Sequence, residues 1–283
     1  MKTCMFTGMF RRERFETAIE NAAKIGYDAV EIRYAPDHFP PELTDSEIRA
    51  RGAHIRALGL EVAEIYGFAG GFSMKSDEEC EKQLPLFARL LEVADMLGTD
   101  LVKIECGGPN AFLAKPWHFE KSAYYIARLA RMAKDASMRI ALEIHNGSLI
   151  EDVSHALAFL DQIGADNVGF IHDAGNMYIT GEDYGEASVR WLGRHLFHVH
   201  VKDVLRVQDA SLSDTFANRT KNGEELFRLT PLGEGGADHA PLIRALKRAG
   251  YTGYLSTEAN LSMDAMEMTL HEYKALRRLM DEV

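Results

Sequence analysis

The fold class the sequence predicts is α/β: a closed (β/α)8 TIM barrel spanning residues 1–283 as one domain. Three observations predict it. Short apolar runs alternate strictly with segments of helical spacing, glycines punctuate the ends of several helical segments, and no Pro/Ser-rich linker divides the chain. Strict alternation forces parallel strands joined by crossover helices, and eight such units favour closure into a barrel over an open doubly wound sheet. The open sheet also lacks its usual signals, because no GxGxxG follows the first strand and no GxxxxGK[ST] occurs.

The first strand is expected at 3–7 and the first helix at 15–25, closed by Gly26, where a residue without a Cβ takes the left-handed conformation. A strand at 29–34 leads to a helix at 45–58, opened by the capping-box spacing of Thr44 and Glu47 and closed by Gly59. The third strand, 61–66, leads to a helix at 86–97 that ends at Gly98. Ser76 and Glu79 repeat the capping-box spacing upstream, and Pro85 marks either a kink or the start of that helix. Strands at 101–106, 140–145, 168–173 and 196–201 are followed by helices at 119–136, 153–163 (closed by Gly164), 184–192 and 241–249 (closed by Gly250). A strand at 254–258 and a helix at 263–280 complete the eight units.

The charge balance narrows the function. There are 43 acidic against 32 basic side chains, a formal net charge of −11, and the Lys and Arg residues are scattered along the helices rather than gathered in a stripe. Such a chain repels phosphate backbones, so no nucleic-acid partner is expected. No run of about 18 apolar residues occurs, and MKTCMFTGMFRRERF breaks into charge too early for a signal peptide, so no membrane partner and a soluble, cytoplasmic protein are expected. Cys4, Cys80 and Cys106 are an odd set without CxxC spacing, which reads as reduced thiols.

In a TIM barrel the chemistry sits at the C-terminal strand ends. Here the fifth strand ends ALEIH with Glu143, the sixth GFIHD with Asp173, the seventh FHVHVKD with His200 and the eighth LSTE with Glu258. Each alone fits a strand-end salt bridge. Together, three carboxylates at one barrel mouth would repel one another unless a cation held them ionised. Three oxygen donors and one imidazole suit a divalent metal ion in six coordination, Mn²⁺, Mg²⁺ or Co²⁺ ahead of Zn²⁺.

The motifs EIH at Glu143, HDAGN from His172, HVHVKD from His198, PLGEG from Pro231 and STE ending at Glu258 resemble the xylose isomerase-like TIM barrels. These include sugar isomerases and epimerases, among them tagatose/psicose 3-epimerases, and inosose isomerases and dehydratases. The resemblance runs from VEIR at 30–33 to the end of the chain. It implies Glu143, Asp173, His200 and Glu258 as metal ligands, with Glu143 and Glu258 as a catalytic acid/base pair working through a metal-stabilised enediolate. His198 is then a core histidine or one that supports His200 from behind. The 3-epimerases carry a further Glu and a His that touch substrate; here those positions hold Leu149 and Asn176, which leaves the sugar open.

His145, Asn176, Lys202 and Glu105 are the candidate substrate-binding residues. His145 shares the parity of Glu143 and either bonds substrate or backbone. Lys103 and Glu105 share a parity that allows an internal ion pair, and Lys202 either holds an anionic group or pairs with Asp203. Arg33 and Glu64 also fall near strand ends. The polar segment 204–230 reads as a long loop, either a lid or substrate-choosing element or a flexible insertion or oligomer contact. PLGEGG at 231–236 lies where some barrels bind phosphate, but Glu234 opposes an anion cradle. Phe68, Phe72 and Trp117 either wall an apolar side of the pocket or simply pack. The resemblance therefore implies a metal-dependent isomerase or epimerase of a small carbohydrate, by analogy a homo-oligomer. A lyase on the same scaffold and a non-catalytic sugar-binding subunit are the alternatives; an apurinic-site nuclease is opposed by the charge.

Overall fold

A computed structural model describes residues 1–283 except the side chain of Phe68, so the pocket-wall reading of Phe68 lies outside the described residues. Eight parallel strands close a barrel: β1 (Lys2–Phe6), β2 (Ala29–Arg33), β3 (Glu61–Gly70), β4 (Leu101–Glu105), β5 (Arg139–Glu143), β6 (Val168–Asp173), β7 (Leu196–Val201) and, after three further strands, β11 (Tyr254–Thr257). Each has a counterpart among the strands expected from sequence. Sequential strands are neighbours from β2 through β7, and β11 closes the circle between β7 and β1.

The helices are α1 (Phe15–Ile25), α2 (Asp45–Ala57), α3 (Asp77–Leu97), α4 (Pro116–Asp135), α5 (Val153–Ile163), α6 (Ala174–Thr180), α7 (Glu186–Leu192), α8 (Ala240–Arg248) and α9 (Ala265–Glu282). Gly26, Gly59, Gly98, Gly164 and Gly250 all have positive φ, as their places past helix ends imply. The helix expected at 86 begins instead at Asp77. Ser76 accepts the Glu79 N–H while the Glu79 carboxylate accepts the Ser76 N–H, and this reciprocal cap sets the start. The helix continues through Pro85 because Pro85 and the preceding turn at Glu81 are exposed, so the carbonyl that loses its donor meets water.

Two further differences lie at the C-terminal face. The one-turn-plus helix α6 follows β6 directly, where no helix was expected. The segment read as a long loop contains a three-stranded antiparallel sheet of β8 (Asp203–Val207), β9 (Thr215–Thr220) and β10 (Gly223–Thr230), ordered β8-β10-β9. Its signal was the Asn222-Gly223 pair at a tight hairpin, with Gly223 at φ 112°. Phe216 and Phe227 stand directly opposite across β9 and β10, and Phe227, Val204 and Ile179 pack together, so the sheet seats itself on α6.

The main core lies between strands and helices, where Ile48, Phe87, Val93, Ile126, Leu129 and Phe159 are fully buried. Amphipathic helices on a barrel whose strands are apolar outward produce that layer. The barrel interior differs: Cys4, Ala29 and Ala63 form a small apolar cluster, while Glu31, Glu64, Lys103 and His198 are buried charged or polar groups. The three cysteines are buried and free. Among the described residues no helix is long and apolar enough to cross a membrane.

Candidate metal centre

Glu143 closes β5, Asp173 closes β6, His200 lies near the end of β7 and Glu258 follows β11, and these four strands are consecutive neighbours around the barrel. The register sets Asp173 beside His200 and His200 beside Ser256, two residues before Glu258. One donor atom from each of the four side chains lies within 4.8 Å of all the others. His200 Nδ1 is 3.3 Å from Glu143 Oε1, 3.3 Å from Glu258 Oε2 and 3.7 Å from Asp173 Oδ2. A six-coordinate ion with bonds of about 2.1 Å sets its donors about 3 Å apart when adjacent and about 4.2 Å when opposite, so the cluster has the right size for one divalent cation.

Local structure explains each placement. Asp173 ends its strand and caps α6, its Oδ1 accepting the Asn176 N–H at 2.9 Å. That leaves Oδ2 fully buried and facing the other three donors, with the Lys202 ammonium 3.0 Å away as its charged neighbour. Gly175 follows because a Cβ there would lie 2.7 Å from Lys202 Cγ and 2.8 Å from the Lys202 carbonyl oxygen; α6 passes β7 too closely for any side chain.

Two lysines balance the carboxylates. Lys103 Nζ is 2.6 Å from Glu143 Oε2, and Lys202 Nζ is 3.0 Å from Asp173 Oδ2, 3.4 Å from Glu258 Oε2 and 3.9 Å from Glu143 Oε1. Burial works against ionisation of Glu143, yet Lys103 and His200 outweigh it and hold the carboxyl well below the usual range. Burial likewise opposes Glu258, and Lys202 with His200 brings it down to about 2. Burial disfavours charge on the two lysines, but the surrounding carboxylates keep both protonated, above their ordinary value. The centre thus presents anionic oxygens at neutral pH.

Several expectations need correction. Lys103 pairs with Glu143, not with Glu105, whose carboxylate instead accepts the Tyr66 hydroxyl at 2.7 Å. Lys202 turns into the carboxylate cluster, away from Asp203. The Asp203 carboxylate accepts the N–H groups of Val204, Gly233, Gly235 and Ala237 at 2.9, 2.9, 2.9 and 3.1 Å. The glycine-rich 231–236 turn is therefore an anion cradle already filled by the chain's own aspartate, and a Cβ at Gly235 would sit 2.1 Å from that carboxylate. Asn176, expected to touch substrate, is buried behind Glu143 and donates to its Oε1 at 2.9 Å. Phe72 is wholly buried and stacks on Tyr125, while Trp117 is half exposed over His118, so neither walls the pocket. Arg33 is engaged with Asp37.

A cavity of about 380 Å³ opens beside the centre, with Glu143, Glu258, Lys103, Glu105, His145 and Tyr66 on its wall. His145 is exposed there, its Nδ1 2.6 Å from the Asn146 carbonyl oxygen. A larger cavity of about 630 Å³ lies at the opposite, N-terminal end of the barrel, beside Thr99, Asp100 and Arg139, far from these donors. The loops that shape the site are tied by Glu151. Its carboxylate accepts the N–H groups of Ala111 and Gly147 and the Asn110 amide at 2.8–2.9 Å. The β9–β10 hairpin joins them through Asn146 to Asn218 at 2.8 Å and Asn110 to the Arg219 carbonyl oxygen at 3.0 Å.

The residue the sequence reading missed is Glu31 on β2. Its Oε2 is 3.1 Å from His200 Nε2, 3.3 Å from His198 Nε2 and 2.8 Å from Ser256 Oγ. The available signal was a glutamate inside a strand that otherwise reads as buried, with a paired HxH elsewhere in the chain.

A family model described as xylose isomerase-like TIM barrel matches residues 19–279. An inosose dehydratase from Lacticaseibacillus casei is 26% identical over 263 residues, covering 87% of this chain and 82% of that protein. An L-ribulose 3-epimerase from Mesorhizobium japonicum is 25% identical over 281 residues, covering 94% and 82%. Among solved structures, the IOLI protein with a binding zinc atom superposes with a TM-score of 0.81 at 19% identity, covering 100% of this chain and 99% of that one.

Proposed function

As the chain belongs to the xylose isomerase-like TIM-barrel family, we propose that it is a divalent-metal-dependent enzyme that moves a proton at the carbon beside the carbonyl of a small polyhydroxylated substrate, giving an isomer or epimer. The observation that carries this is the convergence of Glu143, Asp173, His200 and Glu258 within 4.8 Å, with two of them on the wall of the adjoining cavity. These four would hold the ion, Mn²⁺ ahead of Mg²⁺, Co²⁺ or Zn²⁺. When bound, the ion supplies a Lewis acid that polarises the substrate carbonyl and acidifies the neighbouring C–H.

The chain's own residues do the rest. Glu143 and Glu258 reach the cavity from β5 and from the end of β11, which lie on either side of β7 on the ring, β5 two strands away and β11 its neighbour. One takes the proton and the other returns it: to the opposite face of the same carbon this inverts the centre, and to the former carbonyl carbon, with the hydroxyl proton passing to the old carbonyl oxygen, it moves the carbonyl. Asn176 and Lys103 grip Glu143 at 2.9 and 2.6 Å and keep it ionised and aimed. Glu105, His145 and Tyr66 line the cavity where substrate hydroxyls would bond.

Elimination of water is the second reading. It is favoured by the Lys103 ammonium on the cavity wall beside Glu143, a proton source for a departing hydroxyl, and by the dehydratase relatives. One experiment tests both. Chelator-treated protein is given Mn²⁺, Mg²⁺, Co²⁺ or Zn²⁺ singly and a panel of ketoses and inososes in deuterated water. Metal-dependent deuterium beside the carbonyl supports the proposal, and a product lighter by one water selects elimination. Tight metal binding with no exchange on any substrate refutes both readings in favour of a binding protein.

A further inference from the structure

Glu31 lies three strands from His200 around the barrel, so its carboxylate reaches across the interior rather than along the sheet. The register of β2 against β3 shifts between Val30 and Glu31, an irregularity of the kind that re-aims a side chain. The side chain is 1% exposed. A single oxygen, Oε2, faces the Ser256 hydroxyl at 2.8 Å, His200 Nε2 at 3.1 Å and His198 Nε2 at 3.3 Å. The two imidazole planes stand at 89° with centroids 5.5 Å apart, so both rings present the same nitrogen to one acceptor from different directions.

A carboxylate oxygen only accepts, so both histidines must carry their proton on Nε2. A bare Nε2 would set a lone pair against an anion in a water-free interior. Without a cation Nδ1 faces carboxylate oxygens in the same way, so the ring then carries both protons, and a cation held by those carboxylates displaces only the one on Nδ1. With Nε2–H spent on Glu31, the remaining nitrogen, Nδ1, is the one 3.3, 3.3 and 3.7 Å from the oxygens of Glu143, Glu258 and Asp173.

We propose that Glu31 is the positioning residue that fixes the Nε2–H tautomer of His200 and so delivers Nδ1 to the carboxylate cluster. This rests on the reading that His200 belongs to a metal set. Glu31 touches no substrate; it acts through His200, as carboxylates that hold ligating imidazoles do elsewhere. Ser256 and His198 complete the arrangement by holding Oε2 in place from two other sides.

The test begins on the wild-type protein without metal, with its histidines ¹⁵N-labelled. The expected spectrum has protons on both His200 nitrogens, and adding Zn²⁺ removes the one on Nδ1 while Nε2–H persists. A His200 with bare Nε2, or metal arriving at Nε2, overturns the proposal without any variant. Glu31→Leu should then populate the Nδ1–H tautomer and weaken Mn²⁺ binding by about 10- to 100-fold. Glu31→Gln keeps an acceptor oxygen and should restore most of the affinity. A folded Leu variant that binds Mn²⁺ as tightly as wild type overturns the assignment. If wild type binds no divalent ion, the proposed function fails; an Nε2–H signal that is absent, or that does not move in Glu31→Leu, overturns this inference separately.

Discussion

Glu272 offers a stability test that is independent of catalysis. It lies on α9 with 1% exposure, and its Oε1 accepts the Leu232 N–H at 2.9 Å. Burial, with the Asp203 and Glu234 carboxylates adding to it against the Leu232 hydrogen bond, pushes its pKa up to about 8. In the unfolded chain a glutamate titrates near about 4.3. Between those values the folded protein keeps a proton that the unfolded chain has lost, so stability falls as pH rises through that window and levels off above it. At about 1.4 kcal/mol per pH unit, the penalty grows by about 3–4 kcal/mol from pH 4.5 to 7.5. Glu272→Gln keeps the acceptor for Leu232 and removes the titration, at a cost of about 1–2 kcal/mol for a buried amide that needs a new partner. The variant should therefore be less stable than wild type at pH 4.5 and more stable, by about 2 kcal/mol, at pH 7.5. Urea midpoints of both proteins across that range measure it. A stability difference that stays constant with pH would refute the reasoning, because it would mean that Glu272 ionises equally in both states.

Asp203→Ala strips four backbone N–H groups of their acceptor and should cost about 3–5 kcal/mol in urea unfolding, given charged hydrogen bonds of about 1.5–3 kcal/mol each and partial replacement by water. A loss under about 1 kcal/mol would show that the glycine-rich turn does not depend on that carboxylate. Phe170→Ala, at a wholly buried site in β6, should cost about 3–5 kcal/mol by the same measurement. Asn176→Ala removes the 2.9 Å bond to Glu143 and should lower kcat about tenfold or more with little change in melting temperature. An unchanged kcat on whatever substrate the isotope-exchange panel identifies would show that Glu143 needs no such support.

The barrel was readable from the chain because its signals are local. Alternation of apolar runs with helical spacing, together with glycines past helix ends, is set by residues a few positions apart, and all eight barrel strands appeared where those signals placed them. The positions of Glu143, Asp173, His200 and Glu258 were readable for a related reason: in a parallel barrel every strand ends on the same face, so strand-end residues meet whatever the intervening loops do. The sheet at β8–β10 was missed although Asn222-Gly223 announced a hairpin, since its strands are short, polar and stabilised by seating on α6, itself unforeseen.

Strand parity could say which side chains shared a face, but it could not say which partners they would choose. Lys103 and Glu105 share a parity, yet Lys103 found Glu143 on the adjacent strand; Lys202 passed over its chain neighbour Asp203 for carboxylates on β6 and beyond β11. Buried charges settle by distance and desolvation across the whole interior, not by sequence adjacency. Glu31 and His200 are separated by 169 residues, and no local pattern relates them. The sequence by itself determined the barrel and the four side chains that converge at its mouth. Only the tertiary structure decided which lysines balance them, which aspartate fills the glycine-rich turn and which glutamate stands behind the histidine, because those choices are made through closure of the barrel, the event that brings β2 opposite β7.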